Sequence, residues 1–199
     1  LQTNFGGGET HSMLALFHLC SGIALDQLPG LDQICSEIGV NTIPKASRAV
    51  LVGTAFNPTK ADIKPDGTEV NTLWGELAWQ LGGKEGFAQI AESDRQKVAP
   101  GARELAKLFE KNGPCLILID EWVAYARNLV SNSELPSGTF DSQITFAQQL
   151  TEAIQETENA LLLMVRELES DSEIGLVFPD YYLVDQKGSV IAEEKRHDF

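Results

Sequence analysis

Asn4-Phe5-Gly6-Gly7-Gly8-Glu9-Thr10-His11-Ser12 is a three-glycine turn running into an apolar, helix-forming segment. Gly6, Gly7 and Gly8 permit backbone angles that other residues resist, so consecutive N–H groups can face inward around an anion. A strand that hands directly to a helix adds the positive end of a helix dipole at the same point. Far downstream, Leu116-Ile117-Leu118-Ile119-Asp120-Glu121 is an apolar strand ending in two acids. The carboxyl end of such a strand is where open α/β sheets bind their ligands. The two stretches read as the halves of a P-loop nucleotide site. In the pattern G-x-x-x-x-G-K-[ST], backbone N–H groups surround the phosphates, the lysine reaches the outer ones and the hydroxyl holds magnesium. Here the lysine position is Glu9 and the first glycine position is Thr3.

Each half also has a plainer reading. The glycines make a tight strand-to-helix turn, and Asp120-Glu121 caps the helix that follows. The two motifs in this order, about 110 residues apart, favour the nucleotide reading. On that reading Gly6, Gly7, Gly8, Glu9, Thr10 and His11 lie along the phosphates. Thr10 and Asp120 hold Mg2+, and Glu121 orients or deprotonates the attacking water. ATP and Mg2+ are the cofactors expected.

The 199 residues, 43% of them hydrophobic, suffice to bury a core in one α/β domain with at most a small appendage. Twenty-nine acids against 15 Lys and Arg give a net charge of −14, which opposes a sequence-independent grip on nucleic acid. The apolar runs fall far short of the roughly 20 residues that a membrane helix needs. Cys20, Cys35 and Cys115 are odd in number and lack C-x-x-C spacing, so neither a disulfide framework nor a zinc ribbon is expected. Reduced thiols and a cytoplasmic location are. No strand precedes the glycine turn, so the chain is read as a fragment lacking the first strand of its sheet.

Periodicity predicts helices over residues 10–20, 71–81, 84–92, 101–111, 121–129 and 141–156, with a short helix or two in 26–38. Buried strands are predicted over 49–56, 115–119 and 160–165. Residues 59–68 carry turn chemistry in Lys64-Pro65-Asp66-Gly67 and predict an exposed loop or hairpin. Two short strands are expected around Gln186-Lys187-Gly188. Strands alternating with long helices argue for a mostly parallel sheet with helices on both faces, the three-layer α/β/α class.

Four segments together resemble a known family. They are Gly6 to Leu16 around the glycine turn, Ala49-Val50-Leu51-Val52-Gly53-Thr54-Ala55, Thr72-Leu73-Trp74-Gly75-Glu76-Leu77-Ala78-Trp79-Gln80-Leu81-Gly82-Gly83, and Pro114 to Arg127 around Asp120-Glu121. These look like the large prokaryotic ATPases of domain-of-unknown-function family 499, over roughly residues 1–175. The resemblance implies an AAA+-like (ASCE-type) P-loop core over 1–175 and leaves 176–199 as a C-terminal segment. It implies proteins similar to AAA+-type ATPases, often encoded beside DNA methyltransferases and helicases and associated with defence against phage. DNA or a DNA-modifying complex is then the expected partner, reached through regions outside this chain, and a homo-oligomer is possible. The family pattern has lysine at position 9. The stretch after Val165, where relatives carry a γ-phosphate sensor, reads Arg166-Glu167-Leu168-Glu169 and leaves that sensor unassigned.

Glu9 opens an alternative from another class: a pseudo-ATPase, folded as an interaction module and deprived of turnover. A phosphate-free structural α/β domain is the third. Arg127 is either an arginine finger or a solvated helix residue. Spacing of seven between His11 and His18 suits a metal poorly. Trp74, Trp79 and Trp122 are read as packing anchors rather than base-stacking platforms.

Overall fold

A computed structural model describes residues 8–129, 135–165, 182–184 and 190–193. The chain divides into two compact units, Leu1–Leu168 and Glu169–Phe199. In the first unit the order is α1 (Glu9–Leu19), a 3-10 turn (Leu25–Gln27), α2 (Leu31–Glu37), β1 (Ser47–Val52), a 3-10 turn (Gly53–Ala55), β2 (Asp62–Ile63), β3 (Glu69–Val70), α3 (Leu73–Gln96), α4 (Ala102–Asn112), β4 (Cys115–Asp120), α5 (Trp122–Arg127), α6 (Phe140–Glu156) and β5 (Ala160–Met164). In the second, β6 (Tyr182–Val184) and β7 (Val190–Glu193) pair antiparallel, as the sequence led one to expect.

The central sheet is parallel, in the order β1-β4-β5. All three strands read as apolar runs; β4 is buried on both faces, whereas β5, expected to be buried, is only half-buried and leaves Leu161 exposed. On one face Val50, Leu116, Leu118 and Leu163 meet Met13, Leu16, Phe17 and Cys20 of the α1 segment. On the other, Ala49, Leu51, Ile117 and Ile119 are completely buried, while α3 packs against β1 and α6 against β5. The protein is a mixed α/β fold around this parallel sheet.

Two departures from the sequence reading stand out. The strand expected to run to residue 56 stops at Val52, because Gly53 begins a 3-10 turn. The helices expected over 71–81 and 84–92 are the two limbs of α3, whose break falls at Gly82 (φ −134°) and Gly83 (φ 57°). The limbs fold against each other so closely that a Cβ on Gly86 would lie 2.4 Å from the Ala78 carbonyl.

Polar side chains of α3 finish the β1 side. The Gln80 amide donates to the Val50 carbonyl (3.0 Å) and accepts from the Val50 N–H (2.7 Å), standing in for a neighbouring strand. An edge strand otherwise exposes these groups as a template for another chain. Glu76, which also accepts from Gln80 at 2.8 Å, pairs with Lys64. Lys64 bonds Asp62 at 2.8 Å and lies over the Trp79 ring, whose N–H donates to Asp66 at 3.0 Å. These contacts strap the β2-β3 hairpin to α3.

Candidate functional site

Helix α1 is 11 residues long, about 16 Å at 1.5 Å per residue. It runs against the strand direction: at its far end the Cys20 carbonyl accepts from the Ala46 N–H at the entrance to β1. Met13, one turn inside its start, packs on Leu116, Leu118 and Val165. Val165 follows β5 and its N–H donates to the Ile119 carbonyl at 2.9 Å, so the first turn of α1 lies toward the end of the sheet at which β4 delivers Asp120. Gly8 is the N-cap, at φ 88° and ψ 17°. This left-handed state favours glycine. Its carbonyl accepts from both the N–H and the hydroxyl of Ser12. A glycine N-cap has no side chain to offer the first turn, and N–H groups at such a helix start are a donor set of the kind that binds anions. Thr10 and His11 are exposed there. Gly6 and Gly7 lie outside the described residues, as does the side chain of Glu9.

Asp120 ends β4 opposite Val52 and is half-buried. One of its carboxylate oxygens accepts the Glu121 N–H at 3.0 Å, and the residue has further interactions in the chain. Glu121 is the N-cap of α5, at φ 52° and ψ 28°, a backbone state that costs an L residue roughly 1–2 kcal/mol. Its carboxylate accepts a hydrogen bond from the Thr54 hydroxyl. Its carbonyl accepts the Tyr125 N–H at 3.3 Å. Tyr125 is fully enclosed; burial raises its pKa to about 12 against a hydrogen bond with Ser137 that lowers it.

Sequence reasoning did not single out Thr54. The signal available was Gly53-Thr54 interrupting an apolar run just where a parallel strand ends. Arg127 is half-buried in the last turn of α5 and engaged with other groups of the chain. Trp74 packs on Phe146 with ring centroids 5.5 Å apart, and Trp122 is buried, as anchors should be. Among the described residues no three His, Cys, Asp or Glu side chains are grouped to hold a metal by themselves. No helix there is long and apolar enough to cross a membrane. The sensor stretch 166–171 lies outside the described residues. A cleft of about 200 Å³ opens on the β1 side, walled by Phe56, Glu76 and Tyr125; Gly8, Thr10, Asp120 and Glu121 do not line it.

Residues 1–177 match the model of the family described as DUF499 N-terminal domain. No curated protein and no solved structure matches the chain.

Proposed function

We propose that this chain, which belongs to the DUF499 N-terminal domain family, is the ATP-binding core of an AAA+-like P-loop ATPase whose turnover is impaired by Glu9. The observation that supports the reading is that α1 begins at a left-handed glycine and packs Met13, in its first turns, on Leu116 and Leu118 of β4, the strand that ends in Asp120, and on Val165. The first-turn N–H groups of α1 suit a phosphate, and Thr10 and Asp120 are the residues that would hold magnesium. Bound Mg-ATP supplies an electrophilic γ-phosphoryl group. The chain's own contribution is to orient water and take its proton at the Glu121 carboxylate. A DNA-related or defence partner belongs to the same proposal and follows from the family resemblance.

Glu9 acts against this machinery. A unit charge pair at about 4 Å is worth roughly 4 kcal/mol at an effective dielectric of 20, so exchanging attraction for repulsion weakens nucleotide binding by several kcal/mol before screening. A carboxylate in the first turn also satisfies the helix dipole that would otherwise draw phosphate. The same residue favours the second reading, a pseudo-ATPase acting as an interaction module.

Isothermal titration with Mg-ATP, on this protein and on Glu9→Lys, tests both readings. We expect weak binding by the first and at least tenfold tighter binding by the second. Equal, tight binding would refute the role given to position 9. Binding by neither would remove the nucleotide site. Phosphate release by Glu9→Lys but not by the chain as it stands would separate a restorable ATPase from a scaffold that has lost more than its lysine.

A further inference from the structure

Where β1 and β4 leave the sheet, at the step after the pair Val52 and Asp120, their backbones come unusually close. A Cβ on Gly53 would lie 2.1 Å from the Glu121 carbonyl oxygen, 2.8 Å from its carbonyl carbon and 3.0 Å from the Tyr125 Cβ. Two of these are backbone atoms, which no rotamer change can move aside. Gly53 is buried, and its φ is not in the left-handed range. The requirement for glycine is therefore steric rather than conformational. The oxygen that a Cβ would strike is the one that accepts the Tyr125 N–H and opens α5. Glu121 sits above it in a left-handed state that an L residue adopts only under constraint. The neighbouring residue, Thr54, donates its hydroxyl to the Glu121 carboxylate.

We propose that Gly53-Thr54 is a two-point seat for Glu121, in which Gly53 admits the glutamate's peptide and Thr54 holds its carboxylate, making Gly53 a positioning residue for hydrolysis. The inference deepens the ATPase reading and, in its catalytic part, rests on it. A side chain at 53 displaces the Glu121 peptide, turns its Cα–Cβ bond and carries the carboxylate off its line. The phosphate-side residues on α1 lie on another element and keep their places.

The test places Gly53→Ala in the Glu9→Lys protein. We expect kcat for ATP to fall at least 100-fold while the Kd for Mg-ATP changes less than threefold. Gly101→Ala, whose new Cβ has no atom within 4 Å, should change neither. An unchanged kcat, or a loss shared equally between kcat and Kd, would overturn the proposal. Thr54→Val disturbs no backbone atom and covers the case in which Gly53→Ala folds poorly. It should lower kcat at constant Kd, with Thr54→Ser restoring the rate, and a rate that stays at the parent level would equally overturn the seat. A second readout is independent of turnover: the indole N–H resonance of Trp122, next to Glu121, identified with Trp122→Phe. Gly53→Ala should shift it and leave that of Trp79 in place. If the Glu9→Lys protein hydrolyses no ATP, the ATPase reading fails, while a Trp122 resonance unmoved by Gly53→Ala refutes the seat itself.

Discussion

Replacing Asp94 should cost this fold more than any comparable surface change. Asp94 is 1% exposed, near the end of the second limb of α3, yet its carboxylate serves the start of the first. One oxygen accepts the Thr72 N–H (2.9 Å) and the Thr72 hydroxyl (2.6 Å), and the other accepts the Asn71 side-chain amide (3.0 Å). The Asn71 backbone N–H is shared between them at 3.2 Å. Thr72 is the N-cap and passes the connection on by accepting the Gly75 N–H at 3.0 Å. A Cβ on Gly75 would come within 2.2 Å of the same carboxylate. Four donors thus depend on one group. A hydrogen bond to a charged partner contributes about 1.5–3 kcal/mol, and a buried donor left unsatisfied costs about 1–3. These terms are not additive, so the total falls well short of their sum. Asp94→Ala is therefore expected to lose about 4 kcal/mol, much of the 5–15 typical of a domain. Asp94→Asn, which keeps one acceptor oxygen but turns an N–H₂ toward the Asn71 amide, should lose about 2–3. Urea unfolding followed by far-ultraviolet circular dichroism gives both values, with the slope m unchanged. A loss below about 1 kcal/mol for Asp94→Ala would refute the idea that this carboxylate holds the two limbs together.

Gln80→Ala should unmask the Val50 N–H and carbonyl at the edge of β1, costing about 1–2 kcal/mol. It should also raise exchange of the Val50 amide and promote self-association detectable by light scattering. Lys64 gives a pH signature. Burial lowers its pKa, but the hydrogen bonds and charges of Asp62 and Glu76 outweigh that and raise it above 10.5. A folded pKa above the unfolded one stabilises the protein fully below pH 10.5 and loses that contribution as pH rises through the folded value. The gap in urea midpoint between the parent and Lys64→Met should therefore shrink from pH 9 to pH 11.5, and a constant gap would contradict the strap.

What could be read from sequence was what repeats locally. β4 and β5 declared themselves as apolar runs bounded by turn residues, and α6 as a 3.6-residue period behind Thr139, which the structure shows to be a capping-box residue with Ser142. The paired glycines at 82 and 83 announced the break in α3. Asp94 and Gln80 gave no such signal. Each works through partners 22 to 30 residues away, and a polar residue on a helix looks the same whether it faces water or closes a sheet. The end of β1 was overrun for a related reason: Val-Gly-Thr-Ala-Phe continues an apolar pattern, and only the approach of Glu121 explains why the strand must stop at the glycine.

The same division runs through the candidate site. Asp120 and Glu121 were visible because the acids follow an apolar strand directly, a contrast that one short window contains. Thr54 is 67 residues from Glu121 and becomes its neighbour only because β1 pairs with β4 in parallel register. Parallel pairing brings equivalent strand ends together whatever the length of the crossover between them. Residues just past those ends are therefore where chemistry assembled by the fold, rather than by a contiguous motif, should be sought. Gly53, Thr54, Asp120 and Glu121 occupy two adjacent ends of this kind. Glu9 is the exception that sequence alone exposes, since its effect comes from a formal charge in the first turn of a helix and needs no tertiary partner. A reversal of that one charge should accordingly alter nucleotide affinity while leaving the Thr54–Glu121 contact and the sheet register intact.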